Sequence, residues 1–99
     1  MIKHIVAWKI KDENKKENAL KIKAALEDLK DLIPEIKKME VGININRTDA
    51  AMDVVLYSEF DSLKDLDSYQ VNPYHVSASA FVKSIVVERK VVDYEVINK

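Results

Sequence analysis

The chain has 99 residues, of which 47% are hydrophobic and 33% charged, and its formal net charge is −1. This balance is typical of a folded chain, so residues 1–99 are predicted to form a single domain. The absence of cysteine excludes disulfides, thiol nucleophiles and Cys-ligated metal centres. A single glycine excludes the Gly-rich phosphate loops.

The near balance of 16 basic and 17 acidic residues gives no overall attraction to nucleic acid or to an anionic membrane. No apolar run reaches the length of a transmembrane helix. Lys3, Lys9 and Lys11 interrupt the first residues, which argues against a signal peptide. We therefore expect a cytoplasmic protein with no nucleic-acid or membrane partner.

The first third of the chain predicts a strand followed by a helix. Residues 3–10 alternate with period two, which indicates a strand. Its bulkier face carries His4, Val6, Trp8 and Ile10. Residues 15–33 predict a helix, because apolar residues recur every three or four positions. Pro34 disfavours helix at Ile33 and so marks the end of this helix.

The middle of the chain predicts a hairpin. Residues 38–46 and 52–60 read as two strands, and the turn cluster over 46–49 separates them. Gly42 lies inside the first of these strands. A glycine there predicts a bulge or a close backbone approach.

The last third predicts a broken helix and a final strand. Asp61 or Ser62 caps a short helix, and Pro73 is favoured in the first turn of a second helix over 73–85. Residues 86–97 are rich in valine and indicate a strand. The order β-α-β-β-α-β predicts an α+β, ferredoxin-like fold with an antiparallel sheet.

In this fold both helices cover one face of the sheet, so the other face should be polar if water contacts it. Instead, alternation places Ile5 and Ala7 opposite Val6 and Trp8, and Val55 and Tyr57 opposite Val54 and Leu56. In the last strand it places Val87 and Val91 opposite Val86 and Val92. Two apolar faces predict a homodimer that packs sheet against sheet.

Few side chains offer acid–base chemistry. A histidine and a tyrosine in an apolar pocket suit enolisation, an aldol-type ring closure or a lyase step. Tyr69 and His75 flank the helix break at Pro73, which lets both turn toward one space, and His4 shares a face with Trp8. The alternative is structural, with His4 hydrogen-bonded at the rim of the core and His75 exposed or capping. No metal or other cofactor is expected, because the two histidines lack ligand spacing.

Several segments taken together resemble the stress-responsive α/β-barrel (Dabb) domain family. They are Lys3-His4-Ile5-Val6, Ile33-Pro34, Glu40-Val41-Gly42, Asp53-Val54-Val55-Leu56, Phe60-Asp61-Ser62-Leu63, Leu66-Asp67-Ser68-Tyr69 and Asn72-Pro73-Tyr74-His75. The last segment, with Tyr69, is similar to a Tyr-x-x-His-Pro-x-His run of the family. Asn72 departs from that run, where a histidine is usual.

The resemblance implies a ferredoxin-like monomer that dimerises through its sheets into an α/β barrel, with a pocket between sheet and helices. Members include plant polyketide cyclases, in which residues matching Tyr69 and His75 orient a carbonyl and act as base. A residue matching His4 lines the pocket, and Val6, Trp8 and Asp53 are further expected ligand contacts. Asp53 stands where the cyclase-like members carry a histidine.

Three functions remain open at the level of sequence. The leading prediction is a homodimer that binds a small, largely apolar molecule. The first alternative is a cyclase or lyase that uses Tyr69 and His75. The second is a structural, stress-protective assembly without a ligand. A cavity of a few hundred Å³ bordered by His4, Trp8, Tyr69 and His75 would favour the first two, and a packed interior would favour the third.

Overall fold

The computed structural model describes residues 1–97, and in it a four-stranded antiparallel sheet carries helices on one face. The elements are β1 (Ile2–Ile10), α1 (Lys15–Glu27), α2 (Leu29–Leu32), β2 (Lys38–Ile43), β3 (Val54–Phe60), α3 (Leu63–Val71), α4 (Pro73–Ile85) and β4 (Val86–Glu95). The strand order is β2-β3-β1-β4. This confirms the predicted ferredoxin-like fold. Residues 98 and 99 of the predicted domain lie outside the described residues.

The predicted first helix ends where the proline requires. Ile33 is extended, with φ −122° and ψ 107°, so the helical backbone stops at Leu32. A break at Asp28 divides the predicted helix into α1 and the short α2. Asn14 precedes α1 in the left-handed region, with φ 54°, a conformation that asparagine tolerates better than most residues.

Two side-chain caps position the second pair of helices. The Asp65 backbone N–H donates to the Ser62 hydroxyl at 3.2 Å, so Ser62 begins α3. The Tyr74 N–H donates to the Asn72 side-chain oxygen at 2.9 Å, and Pro73 follows at the first helical position. Asn72 therefore ends α3 and is the N-cap of α4.

The core lies between the sheet and the helices. Along β1, every second residue from Ile2 to Ile10 is buried, as the alternation predicted. Ile22 of α1, Ile33 and Phe60 of β3 are fully buried against this face. Leu20, which lies off the apolar stripe of α1, is 53% exposed.

The residues of β4 that lie on each face of the sheet differ from those predicted. Lys9 pairs with Glu88 and Ile10 pairs with Val86, which leaves Val87 as an extra residue in the strand. This bulge reverses the alternation, so Val86 and Val91 both face the helices and the grouping of Val86 with Val92 was wrong. The bulge leaves no signal in the alternation, because Val86-Val87 and Val91-Val92 place an apolar residue on either face whichever register the strand adopts.

Gly42 marks neither of the two predicted features, a bulge or a close backbone approach, but a close side-chain neighbour. The β2–β3 register is unbroken through Gly42 and Val55. A Cβ on Gly42 would lie 3.3 Å from Cγ1 of Val55, so the glycine leaves room for that side chain. Within residues 1–97, no helix is long and apolar enough to cross a membrane.

Candidate functional site

A pocket of about 70 Å³ lies between the sheet and the helices. Its walls come from β1, β3, β4, α1, α3 and α4, and the lining residues are His4, Val6, Trp8, Leu26, Leu56, Tyr69, His75, Ser79, Val82, Lys83, Val86 and Arg89. Five of the six predicted site residues therefore meet in one place. This volume is well below the few hundred Å³ that would favour a ligand by size alone, so what can favour one is the set of polar groups on the pocket walls.

Tyr69 has a buried hydroxyl that no group in the described chain satisfies. The side chain is 0% exposed, and its oxygen has no hydrogen-bond partner within residues 1–97. The ring packs on Phe60 at 5.0 Å and on His75 at 4.4 Å between centroids. Burial raises the pKa of Tyr69 well above its usual value, so the hydroxyl keeps its proton at neutral pH. The result is an unused hydrogen-bond donor on the wall of the pocket.

His75 is oriented as a base. Its Nδ1 lies 3.0 Å from the Gln70 carbonyl oxygen, which only accepts, so Nδ1 carries the proton and Nε2 holds a lone pair. Burial lowers the pKa of His75, and the positive charges of Arg89 and Lys83 act in the same direction. The carbonyl of Gln70 opposes this shift. At neutral pH the ring is therefore neutral and able to accept a proton.

His4 is held by a carboxylate from β4. The imidazole is buried, and its Nδ1 donates to the Asp93 carboxylate oxygen. The backbone of His4 is fixed as well, since the Ser58 hydroxyl donates to its carbonyl at 3.0 Å. The ring lies 6.3 Å from that of Tyr69, edge to face. The ring of His4 thus lies beside the rings of Tyr69 and Phe60.

Sequence reasoning did not find the groups that β4 and the end of α4 contribute. Asp93 pairs with His4 across the sheet, and Arg89 pairs with Trp8. Both face the helices only because the Val87 bulge shifts the alternation. Lys83 completes the rim from α4. No motif in the sequence signals the bulge.

Asp53 lies elsewhere. Its Oδ2 accepts the Ile10 backbone N–H at 2.8 Å, and its own N–H donates to the Trp8 carbonyl at 2.8 Å. Lys15 approaches the same carboxylate at 3.5 Å. Asp53 therefore fastens the start of β3 to the end of β1, and the structure does not bring it to the pocket.

A larger cavity of about 390 Å³ opens beside the β2–β3 hairpin. Ala7, Gly42 and Val55 line it from the sheet face without helices, and Asn44 brings its only polar side chain. That amide is already used, since it donates to the Met52 carbonyl and accepts the Asn46 N–H. The cavity is larger than the first but offers no free chemical group.

The structure shows no cluster of three or more histidine, aspartate or glutamate side chains able to hold a metal ion among residues 1–97. The groups that converge on the first pocket are instead a phenol, two imidazoles and two cations. Such a set suits hydrogen bonding to a carbonyl and transfer of a proton.

Comparison with protein families gives a match to the Stress responsive A/B Barrel Domain over residues 2–96. The chain therefore belongs to this family, as its sequence segments suggested. The comparison with curated proteins found no match.

Solved structures share the fold. A dimeric ferredoxin-like protein of unknown function from Bacteroides fragilis is 38% identical, with 96% of this chain and 95% of that chain covered and a TM-score of 0.87. The hydroxynitrile lyase of Passiflora edulis is 18% identical, with 99% and 94% covered and a TM-score of 0.86. A protein of Arabidopsis thaliana is 20% identical, with 100% and 98% covered and a TM-score of 0.87. At these identities the two plant proteins indicate the fold alone.

Proposed function

We propose that this protein binds a small, largely apolar molecule in the pocket between sheet and helices. The observation that carries the proposal is the Tyr69 hydroxyl, which is fully buried and without a partner in the described chain. Leaving such a group unsatisfied costs about 1–3 kcal/mol, and an acceptor on a ligand would remove that cost. The ligand therefore carries a carbonyl or a similar oxygen.

The rest of the pocket supports an apolar ligand body. Val6, Leu56 and Val82 form buried walls, and Leu26 closes the side toward α1. Polar groups converge only around Tyr69 and His75 and at the rim. Apolar walls with a few convergent polar groups are typical of small-molecule sites.

Trp8 is the only tryptophan and lines the pocket, so its fluorescence reports occupancy. We propose a titration with 2-butanone, a small neutral ketone, and expect a saturable change in emission. Tyr69→Phe should weaken binding about fivefold, since a neutral hydrogen bond contributes ~1 kcal/mol. Tyr74→Phe, at an exposed tyrosine, serves as the control and should leave binding unchanged. An unsaturable signal, or equal affinity of Tyr69→Phe, would contradict the proposal.

A second candidate is an enzyme of the cyclase or lyase type. The orientation of His75 favours it, because Nδ1 is engaged by Gln70 and Nε2 is free to accept a proton. In this reaction Tyr69 polarises the carbonyl and His75 removes a proton from the adjacent carbon. The step does not require a known substrate: the protein should accelerate exchange of the α-protons of 2-butanone in D₂O, followed by proton NMR. His75→Ala should abolish the acceleration, and its absence in the native protein would exclude this candidate for such ketones.

We also propose that the protein is a homodimer. The face of the sheet without helices exposes Val55, Val92 and Tyr94, and Ile5 and Ala7 lie between them. The Bacteroides fragilis relative is described as dimeric, and packing of two such faces would cover these residues. A structural assembly without a ligand needs the same dimer, so the oligomeric state does not distinguish it from a ligand-binding protein. The 2-butanone titration does.

A further inference from the structure

Arg89 and Lys83 stand out among the lining residues because nothing in the described chain uses their charges. Neither takes part in an ion pair within residues 1–97. Lys3 and Lys15, by contrast, are paired with Glu59 and Asp53, and Lys9 and Lys38, which have no ion pair in the described chain, do not line this pocket. Two unpaired cations at the rim of one pocket are a local concentration of positive charge in a chain of net charge −1.

No carboxylate lines the same pocket. The nearest acidic residue on the helix-covered face of β4 is Asp93, and its oxygen already accepts the proton of His4. The positive charge at the rim is therefore not neutralised from inside the pocket. It acts on both central groups, since Arg89 opposes the rise in the Tyr69 pKa and adds to the fall in the His75 pKa.

We propose that the ligand is a small carboxylic acid whose carboxylate binds Arg89 and Lys83 at the rim while its apolar body enters toward Tyr69. The inference rests on the proposed function and specifies its substrate class. A guanidinium matches the two oxygens of a carboxylate, and lysine adds a mobile point charge. The Tyr69 hydroxyl is buried and has no partner in the described chain. It supplies a hydrogen-bond donor for a further oxygen of the ligand, beyond the two of the carboxylate, deeper in the pocket.

The position of Arg89 depends on the β4 bulge. Because Val87 is the extra residue, Arg89 pairs with Trp8 on the helix-covered face instead of facing away from the helices. Lys83 lies on the last turns of α4, just before the bulged strand begins. The two cations thus lie on either side of the junction between α4 and β4, and both line the pocket.

The test uses propionate and propionamide, which have nearly the same shape and differ in charge, with Trp8 emission as the readout. We expect propionate to bind about tenfold more tightly, because charge-assisted hydrogen bonds are roughly twice as strong as neutral ones. Arg89→Gln and Lys83→Gln should each reduce this preference, because they weaken propionate binding more than propionamide binding. Matched controls are Arg47→Gln and Lys64→Gln, at exposed positions away from the pocket lining.

A second readout follows the charge directly. Bound propionate should raise the NMR titration midpoint of His75, because a nearby anion favours the charged imidazole, and propionamide should not. Equal affinity for the two probes, with no effect of Arg89→Gln, would overturn the carboxylate site and leave the proposed function intact. If propionate, propionamide and 2-butanone all leave Trp8 unchanged, the proposed function fails and the inference fails with it.

Discussion

The two faces of the sheet differ in what they leave unsatisfied. On the helix-covered face most apolar side chains are packed, but several polar groups lack partners in the described chain. On the face without helices, the open face, polar side chains are paired and apolar side chains are exposed. The Tyr69 hydroxyl and the Arg89 charge are unpaired on the first face within the described chain. On the second, Tyr57 donates to Glu59 at 2.6 Å and Lys3 lies 5.4 Å from the Tyr57 ring, but Val92 is 57% exposed.

The difference indicates what each face requires. Unsatisfied polar groups in an apolar enclosure favour a ligand that offers acceptors or charge. Exposed apolar residues beside satisfied polar groups favour a flat apolar partner, such as a second copy of the sheet. Alternate residues of the same strands thus support two binding roles, a ligand on the helix-covered face and a second copy of the chain on the open face. The following substitutions test each role separately.

The largest effect is expected on the open face, from Ile5→Glu. Ile5 pairs with Tyr57 and Val92 at the centre of the exposed apolar residues. Two symmetry-related carboxylates buried in the proposed interface should weaken the dimer at least about a hundredfold, since an uncompensated buried charge costs ~3–5 kcal/mol. Sedimentation velocity should report a monomer.

The control for this change is Leu20→Glu, which adds the same charge at an exposed apolar residue of α1. It should leave the association state unchanged. Circular dichroism of Ile5→Glu should remain that of a folded chain. A dimer that survives Ile5→Glu would show that the open face is not the interface.

The next effect is expected on the helix-covered face, from Asp93→Ala. Removal of this carboxylate leaves Nδ1 of the buried His4 without its acceptor. The free energy of unfolding should fall by about 1 kcal/mol, and water that reaches the half-exposed site limits the loss. Glu95→Ala, two residues further on the same face of β4, is the control for urea unfolding. Equal stability of the two variants would contradict the assigned bond.

A smaller effect of opposite sign is expected for Tyr69→Phe. This change removes a buried hydroxyl that has no partner in residues 1–97, so the free energy of unfolding should stay the same or rise by up to about 1 kcal/mol. Tyr57→Phe removes a hydroxyl that is bonded to Glu59 and should not stabilise the chain. A clear loss of stability in Tyr69→Phe would show that its hydroxyl supports the fold rather than a ligand.

The smallest effect is a pH dependence from His75. Burial lowers its pKa in the folded protein, so the unfolded chain, with a pKa near 6.5, binds the proton more readily. The stability of the folded state should therefore be full above pH 6.5 and fall as the pH drops toward the folded pKa. NMR titration of the native protein should give a His75 midpoint below 6.5. A midpoint at or above this value would exclude a neutral base at the pocket.

The fold and the composition of the central site follow from the sequence because they depend on local patterns. Alternation over residues 3–10 placed His4, Val6 and Trp8 on the helix-covered face, and Pro73 placed Tyr69 beside His75. In both cases the direction of the side chain is determined by residues of the same strand or helix that lie within a few positions in the sequence.

What the sequence did not predict depends on pairing between distant strands. The bulge at Val87 comes from the register of β4 on β1, and it decides that Arg89 and Asp93 face the helices. Asp53 was predicted to contact the ligand, but its backbone and side-chain hydrogen bonds to β1 hold it outside the pocket. Neither outcome leaves a periodic signal in the chain.

The most direct test of the two-face account uses the four tyrosines as reporters, in protein labelled with ¹³C at tyrosine and titrated with 2-butanone. Tyr69 lines the pocket, while Tyr57 and Tyr94 lie on the open face. We expect a saturable shift of the Tyr69 ring signal with little change at Tyr57 and Tyr94. An unchanged Tyr69 signal, or a shift confined to the open face, would contradict it.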